Sequence, residues 1–272
     1  MTTHILLHQR ICPPLLALLA LFASACSTLP SGERWGQNAS FPGWETLKTS
    51  AWNAARDPHT WAPLAGAVVM SIGDLDEDLS DWAVRENPLF GSESSADDAS
   101  DVMAEALAGT AIISALSTPG GPREGWVGPK LKGMLVETSA AMVAGGITSS
   151  LKSSINRRRP DDSDDRSFPS AHASAAASFA MLTNRNLDAI NISPGTRKVL
   201  KYSATTASGL TAWARIESRD HYPSDVLAGA ALGHFITAVL HDAMMGLDTP
   251  VQVGVKLDGD SGGMLTFHMP FQ

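Results

Sequence analysis

Arg215-Ile-Glu-Ser-Arg-Asp-His221-Tyr-Pro-Ser-Asp225 separates two helical stretches, and the rest of the chain is read outward from it. Pro223 suits the first turn of a helix. His221 then stands at the helix start, with Asp225 about one turn on. A carboxylate that accepts a hydrogen bond from one imidazole nitrogen leaves the other oriented and nucleophilic. Arg215 ends the preceding helix and points into the same corner. On these residues alone, a buried His–Asp pair that merely caps a helix fits as well.

Two further clusters lie upstream. Phe168-Pro169-Ser170-Ala171-His172 offers Ser170 as the N-cap of a following helix and sets His172 in its first turn. Free N–H groups at a helix start bind phosphate, and the small Ala171 lets an anion approach them. A histidine placed there can protonate a leaving group. Lys152-Ser-Ser-Ile-Asn-Arg-Arg-Arg159-Pro160 reads as a helix end with Lys152 and Arg159 seven apart, two turns along one face. Two such cations can grip an anion. A solvated basic helix end is the plainer alternative.

Lys-x6-Arg-Pro, Pro-Ser-Ala-His and Arg-x5-His-x3-Asp, in this order, resemble the three-part signature of the type 2 phosphatidic acid phosphatase superfamily. That superfamily also includes bacterial acid phosphatases and vanadium haloperoxidases. The resemblance spans Lys152 to Asp225 and departs from the pattern twice: Ala171 stands where the family has glycine, and Ala214 where it has serine. Alanine resists positive φ, so Ala171 must adopt an ordinary backbone conformation. The resemblance implies a metal-independent phosphatase with no cofactor. In it Lys152, Arg159 and Arg215 hold the phosphoryl oxygens, helped by Ser170 and the N–H groups of 170–172. His221 is the nucleophile, Asp225 holds its tautomer and His172 is the general acid. The substrate implied is a phosphorylated small molecule or a lipid phosphate. Lipid phosphotransfer, vanadium haloperoxidase chemistry and a non-catalytic envelope lipoprotein are the alternatives.

The chain has 272 residues, 44% of them hydrophobic, and a formal charge of −8, so it lacks the basic footprint of a nucleic-acid binder. Its cysteines are Cys12 and Cys26, which excludes a disulfide framework. Residues 1–25 have the layout of a secretory signal, and Cys26 follows small residues as in a bacterial lipoprotein. Lipidation of Cys26 would anchor the protein to a membrane. Ser27 after it points to the outer membrane, with the protein facing the periplasm. Residues 26–43 read as a tether.

The expected fold is an all-α bundle over 44–247 with a short C-terminal β-hairpin over 248–272. Helices are expected near 44–56, 60–86, 97–116, 130–157, 170–184, 195–214 and 222–245. The apolar runs 133–151 and 226–240 read as central buried helices, and charges within the helices argue against most of them crossing lipid. Val251-Gln-Val-Gly-Val-Lys-Leu257 and Met264-Leu-Thr-Phe-His-Met269 alternate at strand period, and the pair should pack on the bundle. Asp74, Asp76, Glu77, Asp78 and Asp81 read as a solvated helix face. Asp97, Asp98 and Asp101 read as a helix start. Asp161, Asp162, Asp164 and Asp165 read as an acidic rim. His234 and His241 read as packing or surface residues. Oligomeric state is left open.

Overall fold

Short polar residues and prolines set where the helices begin. The computed structural model describes residues 27–122 and 124–246, with the backbone of 252–258 and 262–268. The expected signal segment and Cys26 lie outside the described residues. Helix α1 is Trp44–Arg56 and α2 is Pro58–Met70, the latter capped by Asp57, whose side chain accepts from the His59 N–H. Leu75–Glu86 forms α3, Glu93–Ser117 α4 and Val127–Ile155 α5. The last three are α6 (Ala171–Ala189), α7 (Pro194–Glu217) and α8 (Pro223–Met244). Ser92, Ser170 and Ser193 cap α4, α6 and α7 through their side chains, and Pro194 and Pro223 open α7 and α8. The single helix expected over 60–86 is two, divided at Ser71–Asp74, where Gly73 takes a φ of 60° that favours glycine.

α6 and α8 pack against each other at the centre. α1 and α2 cover α8, α4 and α7 flank α6, and α5 touches both central helices. Their closeness rests on two glycines of α8. A Cβ on Gly229 would meet the Ser170 carbonyl oxygen at 2.4 Å, and one on Gly233 the Ser174 carbonyl oxygen at 2.1 Å.

The expected fold class needs one correction: the β-hairpin is not part of it. The fold is all-helical, eight helices among the described residues, and no strand enters the packed body. The extended segments Gln252–Asp258 and Gly262–His268 run antiparallel to each other and add no layer to the bundle. A two-stranded ribbon with no third partner has little to hold it in water.

A second correction concerns α5. The expectation for 226–240 holds, since the apolar window of α8 is 61% buried, but that of α5 is only 28% buried, as is that of α4. Both turn small residues inward: Ala96, Ser100, Ala111 and Ser114 on α4, and Gly133, Ala140, Ala144 and Thr148 on α5. Their large side chains face out, with Val102, Ile112, Leu131, Leu135 and Met142 each more than half exposed. Backbones approach closely over small residues, and the outer apolar surface is the kind that lipid covers. α4, α5 and α8 are each long and apolar enough to cross a membrane.

The expected tether is fastened at its middle. Trp35 is 1% exposed among Ala115, Val136 and Met245, with the Lys130 ammonium 5.1 Å from its ring. Its ring lies so close to Gly133 that a Cβ there would meet it at 2.3 Å. Trp35→Ala should lower unfolding stability by about 3–5 kcal/mol, the range for emptying a buried aromatic site. Thermal and denaturant unfolding in detergent check this, and an unchanged midpoint would contradict the packing role.

Candidate functional site

The sequence clusters come together at one end of the bundle, where α5, α7 and the loop 156–170 end and α4, α6 and α8 begin. The turn from Arg215 to Asp225 is held shut by the His221 N–H donating to the Arg215 carbonyl at 3.1 Å. Arg219 takes a φ of 65° within it. His221 is 1% exposed and Asp225 fully buried.

The Asp225 carboxylate is saturated. Oδ1 accepts from Arg157 Nη1 at 2.6 Å, and Oδ2 accepts from the Ser167 hydroxyl at 2.5 Å and the Tyr222 N–H at 2.9 Å. His221 Nδ1 stands 3.8 Å from Oδ2, short of a hydrogen bond, and has no other partner. The expected pairing is thus a juxtaposition that a small ring movement would close. Burial pushes the His221 pKa down to about 4; Lys152 and Arg159 push the same way, and Asp225 opposes them. The ring is therefore neutral near pH 7, as a nucleophile requires.

Lys152 and Arg159 do not share a helix face. α5 ends at Ile155, and Asn156 reverses the chain with a φ of 51°. The helix could not have run on to Pro160 in any case, because Arg159, the residue preceding proline, avoids the helical region. Arg159 returns through the loop and donates to Asp164 at 2.8 Å and Asp220 at 2.7 Å. Arg215 donates to Asp97, to the Ser100 hydroxyl at 2.9 Å, and to Asp220 at 2.7 Å. One carboxylate next to His221 in sequence thus spans both guanidiniums. Lys152 is nearly buried, has no hydrogen bond or ion pair among the described residues, and lies within electrostatic reach of Arg159 and Arg215.

Ser170 is the N-cap that the sequence indicates. Its N–H donates to the Asp225 carbonyl at 3.0 Å and its buried hydroxyl caps the Ala173 N–H at 3.4 Å, so it braces the site. The N–H groups of Ala171 and His172 open α6. Ala171 is helical, the conformation its missing glycine demanded. His172 Nε2 lies 2.9 Å from Asp101 Oδ1. Burial lowers its pKa, Arg215 adds to that, and Asp101 and Asp220 oppose it.

Several site residues escape the sequence reading. Asp76 is 5% exposed. It accepts from Arg157 at 2.8 Å and from the Ser224 N–H at 2.7 Å, so it is no solvated-face residue. Asp97, Ser100 and Asp101 share one face of α4 at i, i+3 and i+4, the one spacing signal available. The acidic rim is partly tied up, since Asp164 pairs with Arg159 and Asp162 with Arg158. His234 and His241 are packed side chains. His234 Nδ1 lies 2.8 Å from Thr60 Oγ1, and His241 Nδ1 lies 2.9 Å from Asp242.

A family model described as the PAP2 superfamily matches residues 135–247. Over 101 residues the chain is 37% identical to a lipid A 1-phosphatase of Porphyromonas gingivalis, covering 37% of this chain and 21% of that protein's length. A crystal structure of a transmembrane PAP2-type phosphatidylglycerolphosphate phosphatase from Bacillus subtilis aligns with a TM-score of 0.48 at 21% identity, covering 66% of this chain and 90% of that one. The chain is membrane-associated, with three apolar helices of spanning length. The stretch that the PAP2 superfamily model matches, residues 135–247, carries all three clusters.

Proposed function

We propose that this chain is a metal-independent phosphatase of the cell envelope that hydrolyses a phosphomonoester or diphosphate carried on a membrane lipid. The observation that supports this best is the convergence of His172 and His221 with Lys152, Arg159 and Arg215 on one corner of the bundle. The lipid A 1-phosphatase similarity and the outward-facing apolar helices support a lipid substrate. Lipidation at Cys26 and a place on the periplasmic face of the outer membrane belong to the same proposal, as do an export segment over 1–25 and a phosphatase domain over 44–247.

In the mechanism, Lys152, Arg159 and Arg215 take the equatorial phosphoryl oxygens. Fixed positive charge supplies most of the catalysis in phosphoryl transfer, and three cations fill that need here. Asp220 competes with the phosphoryl oxygens for Arg159 and Arg215. Neutral His221 attacks phosphorus through the nitrogen away from Asp225, and the bond to the leaving oxygen breaks. His172 delivers its proton to that oxygen. The phosphohistidine is then opened by water, which gives a proton to the now neutral His172, restoring both histidines and releasing phosphate.

His221→Ala should abolish turnover and the acid-labile phosphoenzyme. Vanadate should inhibit and a chelator should not, on a panel of lipid and soluble phosphates. Normal turnover in His221→Ala would remove the assigned nucleophile, and loss of activity on chelation would point to another reaction class. Arg159→Ala should lower kcat by about 10²–10³-fold, as removal of one charge-stabilising donor does.

Stability should follow the His221 proton. Its folded pKa of about 4 lies below the usual histidine value of 6.5, so the unfolded chain binds the proton first. The stability contributed by a neutral His221 is complete above pH 6.5 and is lost as pH falls toward 4. His221→Asn should flatten the unfolding midpoint across that window; an unaltered pH dependence would show that His221 is not the titrating group.

A further inference from the structure

We propose that Asp101 is a positioning residue for His172, forming with it a second carboxylate–imidazole pair across the site from His221 and Asp225. The inference rests on the reading of His172 as the general acid. Asp101 reaches the site from α4, 71 residues before His172, and its Oδ1 lies 2.9 Å from His172 Nε2. No other polar partner of Asp101 is recorded among the described residues, whereas its neighbours Asp97 and Ser100 on the same helix face are taken by Arg215. α4 thus turns three successive polar side chains of one face onto two residues of the site. Beyond Glu105 the helix carries no charge, so this face is its polar end.

A carboxylate on one imidazole nitrogen does two things. It holds the ring in the tautomer that presents the other nitrogen, here Nδ1, to the leaving oxygen. It also favours the protonated form. The second effect matters because the other influences on the ring are mixed. Burial and Arg215 from α7 disfavour the cation, while Asp101 from α4 and Asp220 from the turn before α8 favour it. Without Asp101 a smaller fraction of His172 carries a proton at neutral pH, and the ring loses its fixed orientation.

The test uses leaving groups of different proton demand. 4-Nitrophenolate departs as a stable anion, whereas the alkoxide of a short-chain phosphatidate must be protonated as it leaves. For Asp101→Asn, kcat/KM on dioctanoyl phosphatidate should fall by about tenfold or more, while kcat/KM on 4-nitrophenyl phosphate should stay within about twofold of the wild type. The basic limb of the phosphatidate pH profile should move to lower pH, so the loss grows as pH rises. Asp101→Glu should recover much of the rate, and His172→Ala should show the same substrate split more strongly. Equal loss on both substrates, an unmoved basic limb, or a split in His172→Ala absent from Asp101→Asn would overturn the assignment. A wild-type protein inert on both substrates would refute the phosphatase reading and this inference with it.

Discussion

A fully buried carboxylate must be satisfied on all sides or it costs several kcal/mol. Asp225 meets that demand with three donors from two segments: Ser167 and Arg157 from the loop after α5, and Tyr222 from the turn before α8. Its backbone carbonyl takes the N–H of Ser170 at the head of α6. The polar groups that keep this one side chain buried therefore bring together the segments carrying Arg159, His172 and His221. Arg157 extends the network to Asp76 on α3, fixing the guanidinium from both sides.

The cationic side of the site obeys the same rule with opposite sign. Arg215 and Arg159 are held by Asp97, Asp164 and Asp220, which neutralise them and set their orientation. Lys152 alone lacks a recorded carboxylate partner among the described residues. A phosphoryl group would thus meet one unpaired ammonium and two guanidiniums already aligned by aspartates.

Below the site the bundle is built on small residues. Gly229 and Gly233 let α8 lie against the backbone of α6, and alanine, serine and threonine line the inner faces of α4 and α5. Close packing at the centre leaves the larger apolar side chains outside. This arrangement suits a lipid surround better than water and accords with membrane association.

The positions of the three motifs and six of the eight helix starts were legible in the sequence, because caps, prolines and residue spacing act over a few residues. The resemblance to the superfamily, and with it the expectation placed on His172 and His221, follows from side chains whose identity needs no partner to be read. Tertiary structure alone decided which carboxylate meets which cation. Asp76, Asp97 and Asp101 sit in runs that look like a solvated face or a helix start, and Asp220 lies inside the third motif with no role marked by spacing. Contacts across 61 to 118 residues turn them into partners of Arg157, Arg215, His172 and Arg159. It also decided that the outer face of α5 is apolar and that the C-terminal strands add nothing to the core. Periodicity states that a face is apolar or acidic; whether lipid, protein or solvent lies against it depends on chain segments too distant for any local pattern to record.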